Sequence, residues 1–234
     1  MSLSPFRLIL GAIQDMLMLN TLIFDLDGTL TDTDPVHYQA WKQLLAREGR
    51  DLNEEDFRRH ISGRANDAVC KDLYPDKTPD EHTVIANEKE ALLRELANTL
   101  EPTAGLETLL SYADQQGWKR AIVTNAPRAN VHHMLKALGL ENRFPLIVLG
   151  EELERSKPDP LPYTTALNTL EIQPRQALVF EDSIPGLTAA KAAGIVTVGI
   201  TSTLTADELL AAGADLAIAD FNDPRLWEML KRTA

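Results

Sequence analysis

Six short apolar runs punctuate the chain, at residues 20–24, 119–124, 146–149, 177–181, 195–200 and 215–219, and several are rich in valine and isoleucine. None alternates strictly between apolar and polar positions, the pattern of strands covered on both faces in a parallel sheet. Helical periodicity fills the intervals, for example over 105–117, 128–138, 160–170 and 185–193. Gly139, Gly194 and Gly213 fall where such helices should stop. Strand and helix in alternation predict an α/β fold with a doubly wound parallel sheet.

One interval departs from that rhythm. Between residue 34 and about residue 100 the pattern is helical throughout, with no convincing strand. Asp34-Pro35 predicts a helix start, with Asp34 as N-cap and proline at the first helical position. Val36, Ala40, Leu44 and Leu45 then form an apolar stripe that ends at Gly49. A second long helix is expected over 80–99, after Pro79 and before Pro102. A helical module inserted after the first strand is placed over the C-terminal strand ends, where open α/β sheets bind their ligands. Its expected action is that of a lid. The resulting division is an extension over 1–19, an α/β core over 20–32 and 101–234, and a helical cap over 33–100.

Composition narrows the function classes. A chain of 234 residues has room for one large domain, or for one domain with a smaller companion. Its 44% hydrophobic and 25% charged content is ordinary for a globular protein. A net charge of −12 with no basic stripe argues against nucleic acid. It leaves a small phosphorylated substrate open, because one local positive group or a bound metal suffices for that. The single cysteine, Cys70, excludes an internal disulfide or a cysteine metal cluster and fits a reducing cytoplasm. Near the N-terminus, Leu8-Ile9-Leu10 opens an apolar stretch that follows Arg7 and is interrupted by Gln14 and Asp15. It is too short to span a membrane and lacks a small-residue cleavage site, so no membrane partner is expected. A short amphipathic extension is expected there, and Met16 or Met18 as the true start would make residues 1–15 an upstream addition. The expected state is a monomer, with a weak homodimer as the alternative.

Polar signals follow four of the apolar runs. Asp25 and Asp27 close the first, Thr124-Asn125 the second, and Glu181-Asp182 the fourth, while Lys157 lies after the third. Each alone is the composition of a turn, but in a parallel sheet these ends meet along one edge. Asp25, Asp27 and Asp182 supply hard oxygen ligands suited to Mg²⁺. Carboxylates so crowded repel one another unless a cation lies among them. Thr124 offers a hydroxyl and Lys157 a point charge, a pairing suited to phosphoryl oxygens. A carboxylate attacking phosphorus gives an aspartyl-phosphate, and a second carboxylate can protonate the leaving oxygen and later deprotonate water.

The stretches "FDLDGTLTDTDPVH", "VTNAP", "SKPDP" and "VFEDSIPG" resemble, in order and spacing, the four motifs of the haloacid dehalogenase superfamily, and together they span residues 21–200. The resemblance implies a Rossmann-like core with the helical insertion as its cap. It also implies Asp25 as nucleophile and Asp27 as general acid/base, with the Asp27 main-chain carbonyl on the Mg²⁺ ion. Thr124 and Lys157 would hold the phosphoryl group, with Asn125 and Gly28 as further phosphate contacts. Asp182 would bind the metal and Glu181 would support it from behind. Founding members of the superfamily cleave carbon–halogen bonds, but halide leaves unprotonated and needs neither Asp27 nor a metal, so phosphoryl chemistry is favoured.

The segment "TDTDPVHYQAWK" looks like the start of the cap in β-phosphoglucomutases, which also carry a His and a Trp at the places of His37 and Trp41. The mutase cap lysine has its counterpart near Ala86, which is uncharged, and "ISGRANDAV" fits the hydrolase loop better. Further likeness, through "NEKEALLREL", "TNAPR", "IVLGEE" and "DPRLW", is to small sugar-phosphate phosphatases of the plant type. The expected function is therefore Mg²⁺-dependent hydrolysis of a small phosphorylated metabolite. A hexose-phosphate mutase is the alternative, and a non-catalytic relative stands further off. In the cap, His37, Arg64 and Lys89 are candidate substrate contacts, against an exposed histidine, a surface ion pair and a solvated lysine. Arg128 is expected to pair with an acid and Trp41 to belong to the core. His132 and His133, being adjacent, lack metal-ligand spacing.

Overall fold

The structure, a computed structural model, describes residues 18–233. The expectations for residues 1–17, including the amphipathic extension, lie outside the described residues. Six parallel strands form one sheet in the order β3-β2-β1-β4-β5-β6: β1 (Thr21–Phe24), β2 (Lys119–Thr124), β3 (Leu146–Leu149), β4 (Ala177–Glu181), β5 (Val196–Ile200) and β6 (Leu216–Ile218). The fold is the doubly wound parallel α/β sheet that the apolar runs predict, in the Rossmann-like form that the resemblance implies. The helices are α1 (Asp34–Ala46), α2 (Glu54–His60), α3 (Asn66–Leu73), α4 (Pro79–Leu96), α5 (Leu106–Gln116), α6 (Arg128–Ala137), α7 (Leu161–Thr169), α8 (Ile184–Ala192), α9 (Ala206–Ala211) and α10 (Pro224–Thr233). None of the described helices is long and apolar enough to cross a membrane.

The chain divides into two compact units. The first comprises the described residues through Thr31, Pro102–Pro127 and the chain from Asn142 onward. β1 lies at its centre, with Phe24 in register with Ile122 of β2 and with Phe180 of β4. Successive side chains of a strand face opposite ways. Ile23, Val123 and Val179 accordingly pack with Tyr163, Ala166 and Leu167 of α7 and Ala189 and Ala190 of α8. Phe24 instead stacks on Phe180 at 5.0 Å and meets Phe144 and Phe221 edge-on. Both faces of the sheet are thus filled, which accounts for unbroken apolar runs without alternation. The chain leaves this unit after Thr31 and returns at Pro102. Thr103 ties the return to the departure, donating its backbone N–H to the Leu30 carbonyl at 2.8 Å and its hydroxyl to the Thr29 carbonyl at 2.7 Å.

The second unit comprises Asp32–Glu101 together with Arg128–Glu141, so α6 clusters with the four helices of the insertion. Its interior holds Trp41, Leu44 and Leu45 of α1, Phe57 of α2, Val69 and Cys70 of α3, and Leu92 and Leu93 of α4. Trp41 is a core side chain, as expected, and Cys70 is buried as well. Thr78 and Glu81 form a reciprocal capping box at the start of α4, with Pro79 at its first position. α4 ends at Leu96, three residues short of the expected limit. The start of α1 also corrects the sequence expectation. Thr33 is the N-cap, without a side-chain cap bond, and Asp34 already lies in the first turn. The reason is a competing partner: the Asp34 carboxylate accepts from the Ser62 hydroxyl at 2.6 Å, and Asp32 accepts from the Asp34 N–H at 3.1 Å.

Candidate active site

A parallel sheet puts every C-terminal strand end on one edge. There β1 delivers Asp25, β2 ends on Thr124 and β4 ends on Glu181, followed by Asp182. Asp25 keeps the register of β1 for one more residue, its N–H bonding the Phe180 carbonyl at 3.0 Å. Asp25, Glu181 and Asp182 are all buried, and ligand atoms from the three lie within 4.8 Å of one another.

Lys157 stitches this edge together. Its ammonium, 6% exposed as a residue, donates to Asp25 Oδ1 at 2.5 Å, Glu181 Oε1 at 2.6 Å and the Val123 carbonyl at 2.6 Å. Three acceptors match the three hydrogens of an ammonium. Burial alone would lower the lysine pKa, but attraction to Asp25 and Glu181 outweighs it and holds the group above its ordinary value. Asn125 fixes the Lys157 backbone from both sides, accepting its N–H and donating to its carbonyl, each at 3.2 Å. The Asn125 carboxamide, expected on phosphate, is therefore engaged with the lysine loop. The Thr124 hydroxyl oxygen accepts the Ala126 N–H at 3.0 Å, which leaves its proton available to donate.

Burial raises the Asp25 pKa well above the ordinary carboxylate value; Lys157 opposes the shift while Glu181 and Asp182 add to it. The Asp182 carboxyl is pushed up to about 8 by burial and by Glu181, against a hydrogen bond from Thr203. Those directions describe a buried, crowded acidic cluster. Three carboxylates face a single ammonium, and a divalent ion would balance the remaining charge. The donors are all hard oxygens, so the residues present fit such an ion. Three of the four residues expected around the metal, Asp25, Asp182 and Glu181, bring their carboxylates into this group. The chain bends at Leu26, so strand alternation stops, and Asp27 lies half-buried in a turn bridged to Thr31. It remains near enough for its charge to raise the Asp182 pKa.

Two glycines have no substitute here. At Gly28, with φ +70°, a Cβ would fall 2.1 Å from Asp182 Oδ2. At Gly186, in the first turn of α8, a Cβ would fall 1.9 Å from Glu181 Oε2. Glu181 is thereby seated against that helix start, where Ser183 caps α8 and also reaches Glu181 Oε2 at 3.2 Å.

Within the helical unit, Lys89 is buried at 1% exposure. Its ammonium meets His37 Nδ1 at 2.5 Å and Glu90 Oε1 at 2.9 Å. Asn66 and Asn130 donate to the two oxygens of Glu90. Burial opposes ionisation of Glu90, but Lys89 and His37 prevail and hold its pKa below the ordinary value. Arg64 is engaged by Asp72 at 2.7 Å and by the His60 carbonyl at 2.6 Å. His133 is bonded to the Ala97 carbonyl, and His132 is exposed.

Sequence reasoning missed two site residues. Tyr163 donates to Glu181 Oε1 at 2.5 Å from a fully buried position, and Thr203 donates to Asp182 Oδ2 at 2.6 Å. A tyrosine on the apolar side of "LPYTTAL" did carry a signal, since a buried phenol requires an acceptor. Thr203 lies in a loop whose composition is that of any turn.

The fold and this edge define a class: a parallel α/β sheet with an acidic cluster, a threonine and a lysine at its C-terminal strand ends. The family model for haloacid dehalogenase-like hydrolases matches residues 22–200. The chain belongs to that family. It is 31% identical over 210 residues to validoxylamine A 7'-phosphate phosphatase of Streptomyces hygroscopicus subsp. limoneus, covering 89% of this chain and 97% of that protein. It is 32% identical over 203 residues to a phosphorylated carbohydrates phosphatase of Thermotoga maritima, covering 84% and 92%. The crystal structure of CbbY from Rhodobacter sphaeroides in complex with phosphate superposes with a TM-score of 0.78 at 26% identity, covering 88% and 96%.

Proposed function

We propose that the chain is a Mg²⁺-dependent phosphomonoesterase for sugar phosphates or similar small organophosphates, working through an aspartyl-phosphate. The observation that carries this reading is the Lys157 junction, one buried ammonium shared by Asp25 and Glu181 with Asp182 completing the acidic group. The relatives from Streptomyces and Thermotoga support the substrate class by their named activities.

Asp25 is the nucleophile. Its carboxylate oxygen bonds to phosphorus as the bond from phosphorus to the ester oxygen breaks, and Asp27 gives a proton to the departing alkoxide. Asp27 then takes a proton from the water that attacks the aspartyl-phosphate. That step releases inorganic phosphate and restores Asp25. The Thr124 hydroxyl holds a non-reacting phosphoryl oxygen by a hydrogen bond, and Lys157 attracts the phosphoryl group by its charge. Asp25, Asp182 and the Asp27 carbonyl would hold Mg²⁺, with Glu181 behind them; the bound ion offsets the repulsion between two anions. Within the helical unit, Lys89 and Arg64 are both already engaged, Lys89 by His37 and Glu90 and Arg64 by Asp72. For location we propose the cytoplasm, a reading supported by the buried Cys70 with no second cysteine to pair with.

Asp25→Asn is expected to lower phosphate release from p-nitrophenyl phosphate by at least ~10³-fold, and EDTA to stop the wild-type reaction until Mg²⁺ is restored. Retained turnover in the variant would refute the nucleophile assignment. Loss of a sugar phosphate without equivalent inorganic phosphate would favour a mutase.

A further inference from the structure

The chain beyond β5 makes three successive contacts that the proposed chemistry does not use. Thr201 donates its N–H to the Ile218 carbonyl at 2.9 Å, extending the pairing of β5 with β6. Ser202 donates its hydroxyl to the Gly28 carbonyl at 2.6 Å. Thr203 donates its hydroxyl to Asp182 Oδ2 at 2.6 Å. Two residues later Thr205 opens α9 with a reciprocal capping box to Glu208, so the turn is held between a strand and a capped helix.

We propose that this turn is a positioning device for the metal site, in which Thr203 sets the orientation of the Asp182 carboxylate and Ser202 fixes the Gly28 turn against which that carboxylate packs. The inference rests on the reading of Asp182 as a metal ligand. A carboxylate on a single-bonded stem rotates freely in solution, and a site that needs one orientation must remove that freedom. Oδ2 is wedged between the Thr203 hydroxyl and the backbone at Gly28, where even a Cβ would fall 2.1 Å away. With Oδ2 fixed, the direction in which Oδ1 is presented is fixed too. Ser202 acts on the other wall, since its bond to the Gly28 carbonyl keeps the turn from receding. The order of attachment matters: the hydroxyls are anchored through Thr201 to the sheet, so they hold the carboxylate rather than follow it. Groups that hold a ligand from behind in this way are worth about 10- to 100-fold in metal affinity.

The test is Mg²⁺ binding to the metal-free protein by titration calorimetry, with thermal unfolding followed in parallel. Thr203→Val keeps the shape and loses the hydroxyl, and is expected to weaken Mg²⁺ binding about tenfold or more, with kcat recovering at saturating Mg²⁺. Thr203→Ser restores the hydroxyl and is expected to stay within about twofold of the parent. Should the valine variant fail to fold, Thr203→Ala carries the same expectation. A lowered Tm with unchanged Mg²⁺ affinity would assign Thr203 a structural role only and overturn the proposal. Asp182→Asn is the reference for the underlying reading. Unchanged Mg²⁺ binding there removes Asp182 from the ligand set and the proposal with it, whereas loss in Asp182→Asn without loss at Thr203 overturns the proposal alone.

Discussion

A methyl group at position 186 has no room beside Glu181, and the carboxylate it would meet is itself held by Lys157, Tyr163 and Ser183. Displacing Glu181 therefore disturbs the ammonium that also faces Asp25. Gly186→Ala is expected to cost about 1–3 kcal/mol of stability, as overpacking does, and to lower kcat. Urea denaturation and steady-state kinetics measure the two effects, and a fully active, fully stable variant would contradict the packing described. At this scale the sequence was informative where a polar residue closed an apolar run, as at Asp25, Thr124 and Glu181. It was uninformative where a partner comes from a loop, as at Thr203. Lys89 shows a third case. A lysine on a helix face reads as solvated or as a ligand contact, and its burial depends on Glu90, which is itself satisfied from α3 and α6.

The elements carry a different kind of signal. All six strands fall within a residue of the apolar runs, because burial on both faces favours apolar residues at successive positions. The short helices α2 and α3 were not resolved individually, since 7 and 8 residues give about two turns of periodicity and no more. The long α4 is fixed at its start by Thr78 and Glu81, which bond each other's backbone N–H groups. Thr78→Ala removes one half of that box and is expected to cost about 1 kcal/mol. The urea midpoint should fall while activity is retained, because the substitution lies at a helix end remote in sequence from every proposed catalytic residue. An unchanged midpoint would show that packing alone holds α4.

The molecule as a whole should respond to pH through its acidic cluster. Asp182 is pushed from an ordinary 3.8 up to about 8, and Asp25 moves in the same direction. A group whose folded pKa is raised contributes stability that is complete below the unfolded value and lost as pH rises through the folded one. The metal-free protein should therefore lose stability on going from about pH 4 to about pH 8, as these carboxyls are forced to ionise while crowded. Binding Mg²⁺ requires the ionised forms, so it should release protons near neutral pH and tighten as pH rises. Calorimetry in two buffers of different ionisation enthalpy reads that release directly; none at all would mean the cluster is already ionised without a cation. The strand order has a further consequence, for a chain still being synthesised. β1 emerges early, yet one neighbour, β2, begins at Lys119 and the other, β4, only at Ala177. Until then the future centre of the sheet has an open edge. A nascent chain released before β4 would offer the unpaired backbone of Thr21–Phe24, and an Asp25–Lys157 pair still without Glu181, to whatever it met first.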